Sequence, residues 1–407
     1  MNAAIATRFA NHSELSDQVN AQIFAFDSSA IFCSRSNVEL VDLLLEHGAD
    51  INQKTSWGAG GFGILEDLTP DVAGPLIERG AIVDIWPAVG LNDKQRVREL
   101  LEQDPSLITS PGGDGKHPLH YAQDVEMIDF LVENGADVNA RCDDHGSSAL
   151  QYLVRNRDLV FRFLDHGAEP DIFMAAYWGS IPHAKNCIAA DPDCCNARMG
   201  EGNWTNLGNG DIYKWRIGHD TTPLQVARTR GHADLVDFIS QHASPMTNLA
   251  DAVWRADRVV VDTVCAEYEG VLDRLISEDP TAMCRAAWSY NPSAVELMLA
   301  LGFDPHQVGV HDSSPLDRAA FHGYANIVEL LLLHDPAPTI HSKNEFGGTP
   351  LAASLYGLNH GWKTGHPQDH VATVHLLIEA GSAVNEQLLG WGNSETDQLI
   401  RESLATR

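Results

Sequence analysis

Aromatic side chains recur in the second half of this chain at places that could hold a positive charge. Tyr177 with Trp178, Trp254, Trp288 with Tyr290, Phe321 with His322, and Tyr356 each fall at or near the end of a short run of small residues, such as Ala175-Ala176, Ala286-Ala287 and Ala319-Ala320. Ring faces attract ammonium and guanidinium groups within about 6 Å. Helix axes in contact lie ~8–10 Å apart, so rings on neighbouring helices can form one connected wall. The same spacing suits core filling, so two readings stand: filler, or an aromatic-lined groove. Gly90, Asp124 and Arg155 hold the matching places in the first half.

Charge bears on the guest. The 27 Lys and Arg stand against 56 Asp and Glu, a formal charge of −29. Carboxylates steer cations inward, so a Lys/Arg-rich peptide or a small cationic or aromatic ligand fits such a wall. A solvated acidic surface is the plainer reading of the charge alone. Nucleic acid is excluded as a direct partner, because phosphate binding needs a basic stripe.

Two segments rich in Gly, Trp, Asn and His could rim a site. Residues 198–219 (RMGEGNWTNLGNGDIYKWRIGH) carry Trp204, Asp211, Trp215 and His219, and residues 356–369 (YGLNHGWKTGHPQD) carry Tyr356, His360 and Trp362. Asp211, His219 and Asp220, with His322 and His360 opposite, form the best acid/base set, and a cation-forming lyase or cyclase would want such a set beside aromatic rings. No spacing fixes their geometry, and no catalytic residue is assigned.

Metal and cofactor signals are weak. His366 and His370 stand at i, i+4, but Pro367 starts a helix between them and no HExxH glutamate is present. Cys194 and Cys195 are vicinal, unlike a C-x₂-C knuckle, so with Cys187 they read as buried thiols. His145, His219 and His311 each precede a capping Ser or Thr by three residues, in non-adjacent stretches that cannot share one ion. Residues 58–63 (GAGGFG) lack the lysine of a phosphate loop. No metal and no cofactor are expected.

The elements that position these residues repeat along the chain. An apolar helix ending at a Gly or Asp stop recurs, as in 41–50 (VDLLLEHGAD), 128–139 (IDFLVENGADVN) and 295–305. A shorter phrase precedes it: 116–122 (KHPLHYA), 222–227 (TPLQVA), 314–320 (SPLDRAA) and 349–353 (TPLAA). Thr or Ser before Pro-Leu is an N-cap with proline at the first helical position. Gly48, Gly80, Gly135, Gly167, Gly302 and Gly381 supply the left-handed residue that ends a helix. One helix pair cannot bury both faces alone, so pairs must stack.

This pattern resembles the ankyrin repeat family, most closely at 116–139 (KHPLHYAQDVEMIDFLVENGADVN). The resemblance implies an all-α, ankyrin-like helical solenoid of about eleven helix pairs with short β-hairpin fingers. Some units are shorter and lack the finger, as at 80–87 and 167–173. Residues 1–21 read as an extension, 22–385 as the solenoid and 386–407 as a cap, with a helix over 394–405. In the family the slots after the small pair face the concave side, and His47, His120, His166 and His232 take positions where histidine makes turn or inter-repeat hydrogen bonds. The run Val259–Val261 predicts a longer packed helix before Leu272.

The expected function is recognition of a protein segment or basic peptide in an acidic, aromatic-lined concave groove. The alternative is a small-molecule-binding or catalytic protein whose pocket the 198–219 and 356–369 insertions close. Seven Cys without framework spacing, no signal-peptide core and no apolar run of ~18 residues point to a soluble, cytoplasmic, monomeric protein. The excess of 20 Arg over 7 Lys hints at a bacterial source.

Overall fold

A computed structural model of the chain describes residues 18–58, 60–199, 212–218, 221–334, 339–361 and 363–406. The structure is an all-α array of helix pairs in two units, one ending at Val236 and one running from Asp237.

The sequence rules for helix ends act as expected. Ser314 accepts from the Asp317 amide while the Asp317 carboxylate accepts from the Ser314 amide, starting the helix Pro315–His322. Thr222 and Gln225 form the same box ahead of Pro223–Thr229, and Thr349 caps Pro350–His360. At the other end, Gly135 (φ +96°) and Gly381 (φ +101°) take the left-handed conformation that a side chain would strain.

In the first unit, paired helices include Ile85–Gly90 with Lys94–Gln103, Ala149–Tyr152 with Arg157–Asp165, and Ile172–Trp178 with Ile181–Ala190. The 116–122 phrase forms only a 3₁₀ turn, Pro118–Tyr121, because Asp124 caps the helix Val125–Glu133 almost at once. Fingers are loops rather than ladders. Among the described residues the β pairing is two isolated bridges, Phe24 with Ser28 and Arg141 with Ser148.

In the second unit, a continuous core runs from Leu249 to Ile400 through Val295, Leu316, Ile327, Leu351 and Val374. The run 259–261 does not lengthen a packed helix. It lies on a separate helix, Arg258–Glu267, on which Val261 is buried and Val259 is 76% exposed. A left-handed Gly270 then starts Val271–Glu278. The helix Ser394–Ala405 packs on His370–Glu379.

The insertion read as 356–369 begins later than its composition suggests. The helix Pro350–His360 carries Tyr356 and His360, so only residues from Gly361 on leave it. The helix continues because Gly357, without a side chain, lets the backbone meet the carbonyl of Phe321.

Candidate binding surface

Successive first helices of the second unit, Ala282–Trp288, Pro315–His322 and Pro350–His360, set their aromatic residues in a row. Trp288 and Phe321 stack at 5.9 Å and 12°. Phe321 lies 6.5 Å from Tyr356, and Tyr356 lies 4.4 Å from His360. Exposure rises along the row: Trp288 and Phe321 are half-buried, and Tyr356 is 50% exposed.

A second rank lies beneath. His322, 1% exposed, meets the edge of Trp288 at 4.3 Å and stacks on Tyr324 at 5.0 Å. Tyr290 lies 4.7 Å from Tyr324 and stacks on His366 at 4.9 Å. Thus His366 meets Tyr290 from a loop, while His370 opens the following helix and is buried against Gly323. Burial, with His370, Arg318 and His366 nearby, depresses the His322 imidazole to about 4. It lowers His370 as well, so both rings are neutral at neutral pH.

Arg318, one turn before Phe321, was not singled out by the sequence reading. Its guanidinium lies 5.0 Å over Trp288, and its Nη2 donates to the Val310 carbonyl at 2.7 Å. The i, i+3 spacing of Arg318 and Phe321 was the available signal.

The other candidate residues divide between units and contacts. Trp254 packs partly buried on the core of the second unit, its carbonyl taking Asn291 Nδ2 at 2.7 Å. In the first unit, Tyr177 and Trp178 meet at 5.3 Å, Arg230 covers Tyr177 at 4.2 Å, and Trp178 Nε1 donates to the Val154 carbonyl. Trp215 is 66% exposed. Trp204, Asp211, His219, Asp220 and Trp362 lie outside the described residues, so most of the 198–219 insertion does too.

Histidine recurs as a spacer. The ring of His232 lies where a side chain on Gly179 would be, and that of His370 where one on Gly323 would be. His232 Nε2 also pairs with the Tyr177 carbonyl at 3.1 Å. These glycines therefore let one helix pair seat on the next.

Two clusters of the first unit escaped the sequence reading. Glu66, 1% exposed, accepts from the amides of Gly63 and Gly113 and from the Tyr121 hydroxyl. Lys116 beside it pairs with Asp67 at 2.7 Å and lies within 6.0 Å of the rings of Phe62, Tyr121 and Tyr152. The glycine-rich 58–63 stretch is thereby tied to the next finger, with Phe62 against Gly113. Asp114, Asp144 and His145 also bring one ligand atom each within 4.8 Å of one another, which a cation could bridge.

A cavity of about 440 Å³ lies between the helices Val125–Glu133 and Arg157–Asp165. Its arginines are engaged: Arg157 over Phe161 at 5.0 Å, Arg162 on Asp129. Arg162, and then His166, hold the Asp129 carboxyl down to about 2.

All seven cysteines are free. Cys194 and Cys195 are buried, and the Cys187 thiol, pushed up to about 12 by burial, donates to the Pro170 carbonyl. Among the described residues no helix is long and apolar enough to cross a membrane.

Comparison with known proteins agrees with this architecture. Residues 86–174 match the family described as ankyrin repeats (3 copies), and residues 29–56 match the ankyrin repeat. The chain carries ankyrin repeats over these residues. It is similar to the ankyrin repeat and SAM domain-containing protein 6 of Rattus norvegicus, 30% identical over 115 residues, which are 27% of this chain and 13% of that protein. The Mus musculus counterpart matches to the same extent. The serine/threonine-protein kinase VIK of Arabidopsis thaliana is 43% identical over 53 residues, 12% of each chain. This chain thus spans only about an eighth of the length of the curated relatives it matches. Ankyrin repeats are scaffolds for protein–protein interaction.

Proposed function

We propose that this protein is a recognition protein whose second unit holds a basic segment of a partner protein along the ring row of Trp288, Phe321, Tyr356 and His360. The observation that carries the reading is the guanidinium of Arg318 over Trp288. The row already accepts one cation on a ring face, and Tyr356 next along it is half exposed. A charge of −29 draws lysine- and arginine-rich segments toward the protein. Residues 22–385 are the recognition scaffold and 386–407 its cap. Seven free thiols suit a reducing, cytoplasmic setting.

Tryptophan fluorescence titration with an arginine-rich peptide, and with a glutamate-rich peptide of equal length, tests this function. Saturable binding of the basic peptide alone is expected, reduced about fivefold by Tyr356→Ala, as a cation–π contact of ~1 kcal/mol requires. Equal binding of both peptides, or binding indifferent to Tyr356 and Phe321, overturns it.

A further inference from the structure

Residues 212–218 lie in the stretch that the repeat spacing marks as an insertion, and they are folded onto the first unit. The short helix Tyr213–Arg216 packs on Ala149–Tyr152. Tyr213 is fully buried and Ile212 is 5% exposed. The Tyr213 hydroxyl donates to Asp171 Oδ1 at 3.2 Å, while Gln151 Nε2 donates to Asp171 Oδ2 at 2.7 Å. The phenol ring lies 5.9 Å from Phe173. Ile212 N donates to Ser147 Oγ at 3.4 Å, and Arg155 Nε donates to the Arg216 carbonyl at 2.5 Å.

The spacing of the repeats explains why a pocket exists there. The helix Ile172–Trp178 follows Gly167 within a few residues, with no finger of its own to cover its N-terminal end. Ser147, Gln151, Asp171 and Phe173 are left as the walls of a recess that a single aromatic side chain fills. At its floor the Asp171 carboxylate, which already takes the Met174 amide and Gln151 Nε2, accepts a third donor from the tip of the ring.

The outer side of the strap has a different character. Trp215 is 66% exposed and Arg216 is exposed, so the four residues Tyr-Lys-Trp-Arg put one ring inside and their cations at the rim. A basic segment is seated on a strongly acidic chain through one anchoring tyrosine.

We propose that the pocket under Tyr213 is a tyrosine-recognition site, that residues 212–216 are its built-in, displaceable occupant, and that its external partner is a protein segment presenting a tyrosine next to basic residues. The partner's phenol takes the place of Tyr213 on Asp171, and its Lys or Arg side chains replace Lys214 and Arg216 at the rim. The site belongs to the first unit and uses none of the rings of the second.

The probe is a fluorescein-labelled peptide of residues 212–218 (IYKWRIG), titrated into the full chain. The Tyr213→Ala chain, its recess open, binds the peptide saturably, and the wild-type chain binds it at least tenfold more weakly. A peptide with phenylalanine in place of the tyrosine loses about tenfold on the opened chain, because the hydroxyl's hydrogen bond to the buried Asp171 carboxylate is lost. Where Tyr213→Ala does not fold, Tyr213→Phe serves: it keeps the ring, removes its hydrogen bond to Asp171, and binds the peptide more tightly than wild type. Backbone amides of 212–218 exchange hydrogen faster than those of the Ile172–Trp178 helix. Failure of folded Tyr213→Ala or Tyr213→Phe to bind, equal binding by opened and wild-type chains, or exchange at 212–218 as slow as in that helix overturns the proposal.

Discussion

The rings of Trp288 and Phe321 stack at 5.9 Å and 12° although a full repeat separates them in the chain. Each belongs to the last turn of its helix, and the repeat carries one turn onto the next. Two half-buried rings held this way present a fixed edge to a guest without the entropy cost of ordering them.

That arrangement depends on how closely two helices approach. Gly357 faces the carbonyl of Phe321, and a methyl group there would overlap that oxygen. Gly357→Ala is expected to destabilise the second unit by about 1–3 kcal/mol, the usual range for overpacking. It should also weaken binding of the arginine-rich peptide. Thermal denaturation followed by circular dichroism, with the peptide titration, measures both.

Glu66 is the residue on which the first fingers converge. Glu66→Ala removes the acceptor for two amides and one hydroxyl, of which the Gly113 amide and the Tyr121 hydroxyl are buried. Orphaned buried donors cost about 1–3 kcal/mol each, so a loss of roughly 3 kcal/mol or more is expected. Glu66→Gln, which keeps one acceptor oxygen, should lose less. Urea denaturation of the two variants against wild type gives the comparison.

His322 makes the second unit sensitive to acid. Its folded pKa of about 4 lies below the ordinary value of 6.5, because burial disfavours the charged ring. The unfolded chain therefore binds the proton first, and stability from this group is full above 6.5 and falls as the pH drops toward 4. His322→Phe should flatten the fall in melting temperature between pH 6.5 and 4. An unchanged slope would remove His322 from the account.

Asp317 works in the opposite sense. Burial raises its carboxyl to about 6, and Oδ1 has no hydrogen-bond partner while Oδ2 takes the Ser314 amide and hydroxyl. Its stabilising contribution is full below 3.8 and is lost as the pH rises through 6. Asp317→Asn, which keeps a capping oxygen and carries no charge, should gain melting temperature relative to wild type on going from pH 4 to pH 8. Paired melts at those two values check it.

Local rules made much of the fold legible. Ser314-Pro315 and Thr349-Pro350 announce helix starts and Gly135 and Gly381 announce stops, because a cap and a left-handed residue act within a few positions. The periodic recurrence of Trp288, Phe321 and Tyr356 was equally plain, since a repeat carries each slot onto the next. The length of the Pro350–His360 helix was not, because the contact at Gly357 that permits it comes from the neighbouring pair. The same holds for Arg318 over Trp288, for Glu66 beneath the two fingers, and for Tyr213 on Asp171. Ring stacking and buried hydrogen bonds join residues that are tens of positions apart, and no periodicity encodes which of them meet. Sequence by itself determined the helix pairs and the ring slots; tertiary packing decided which side chains close on one another, because buried polar groups and rings must find partners wherever the stack brings them.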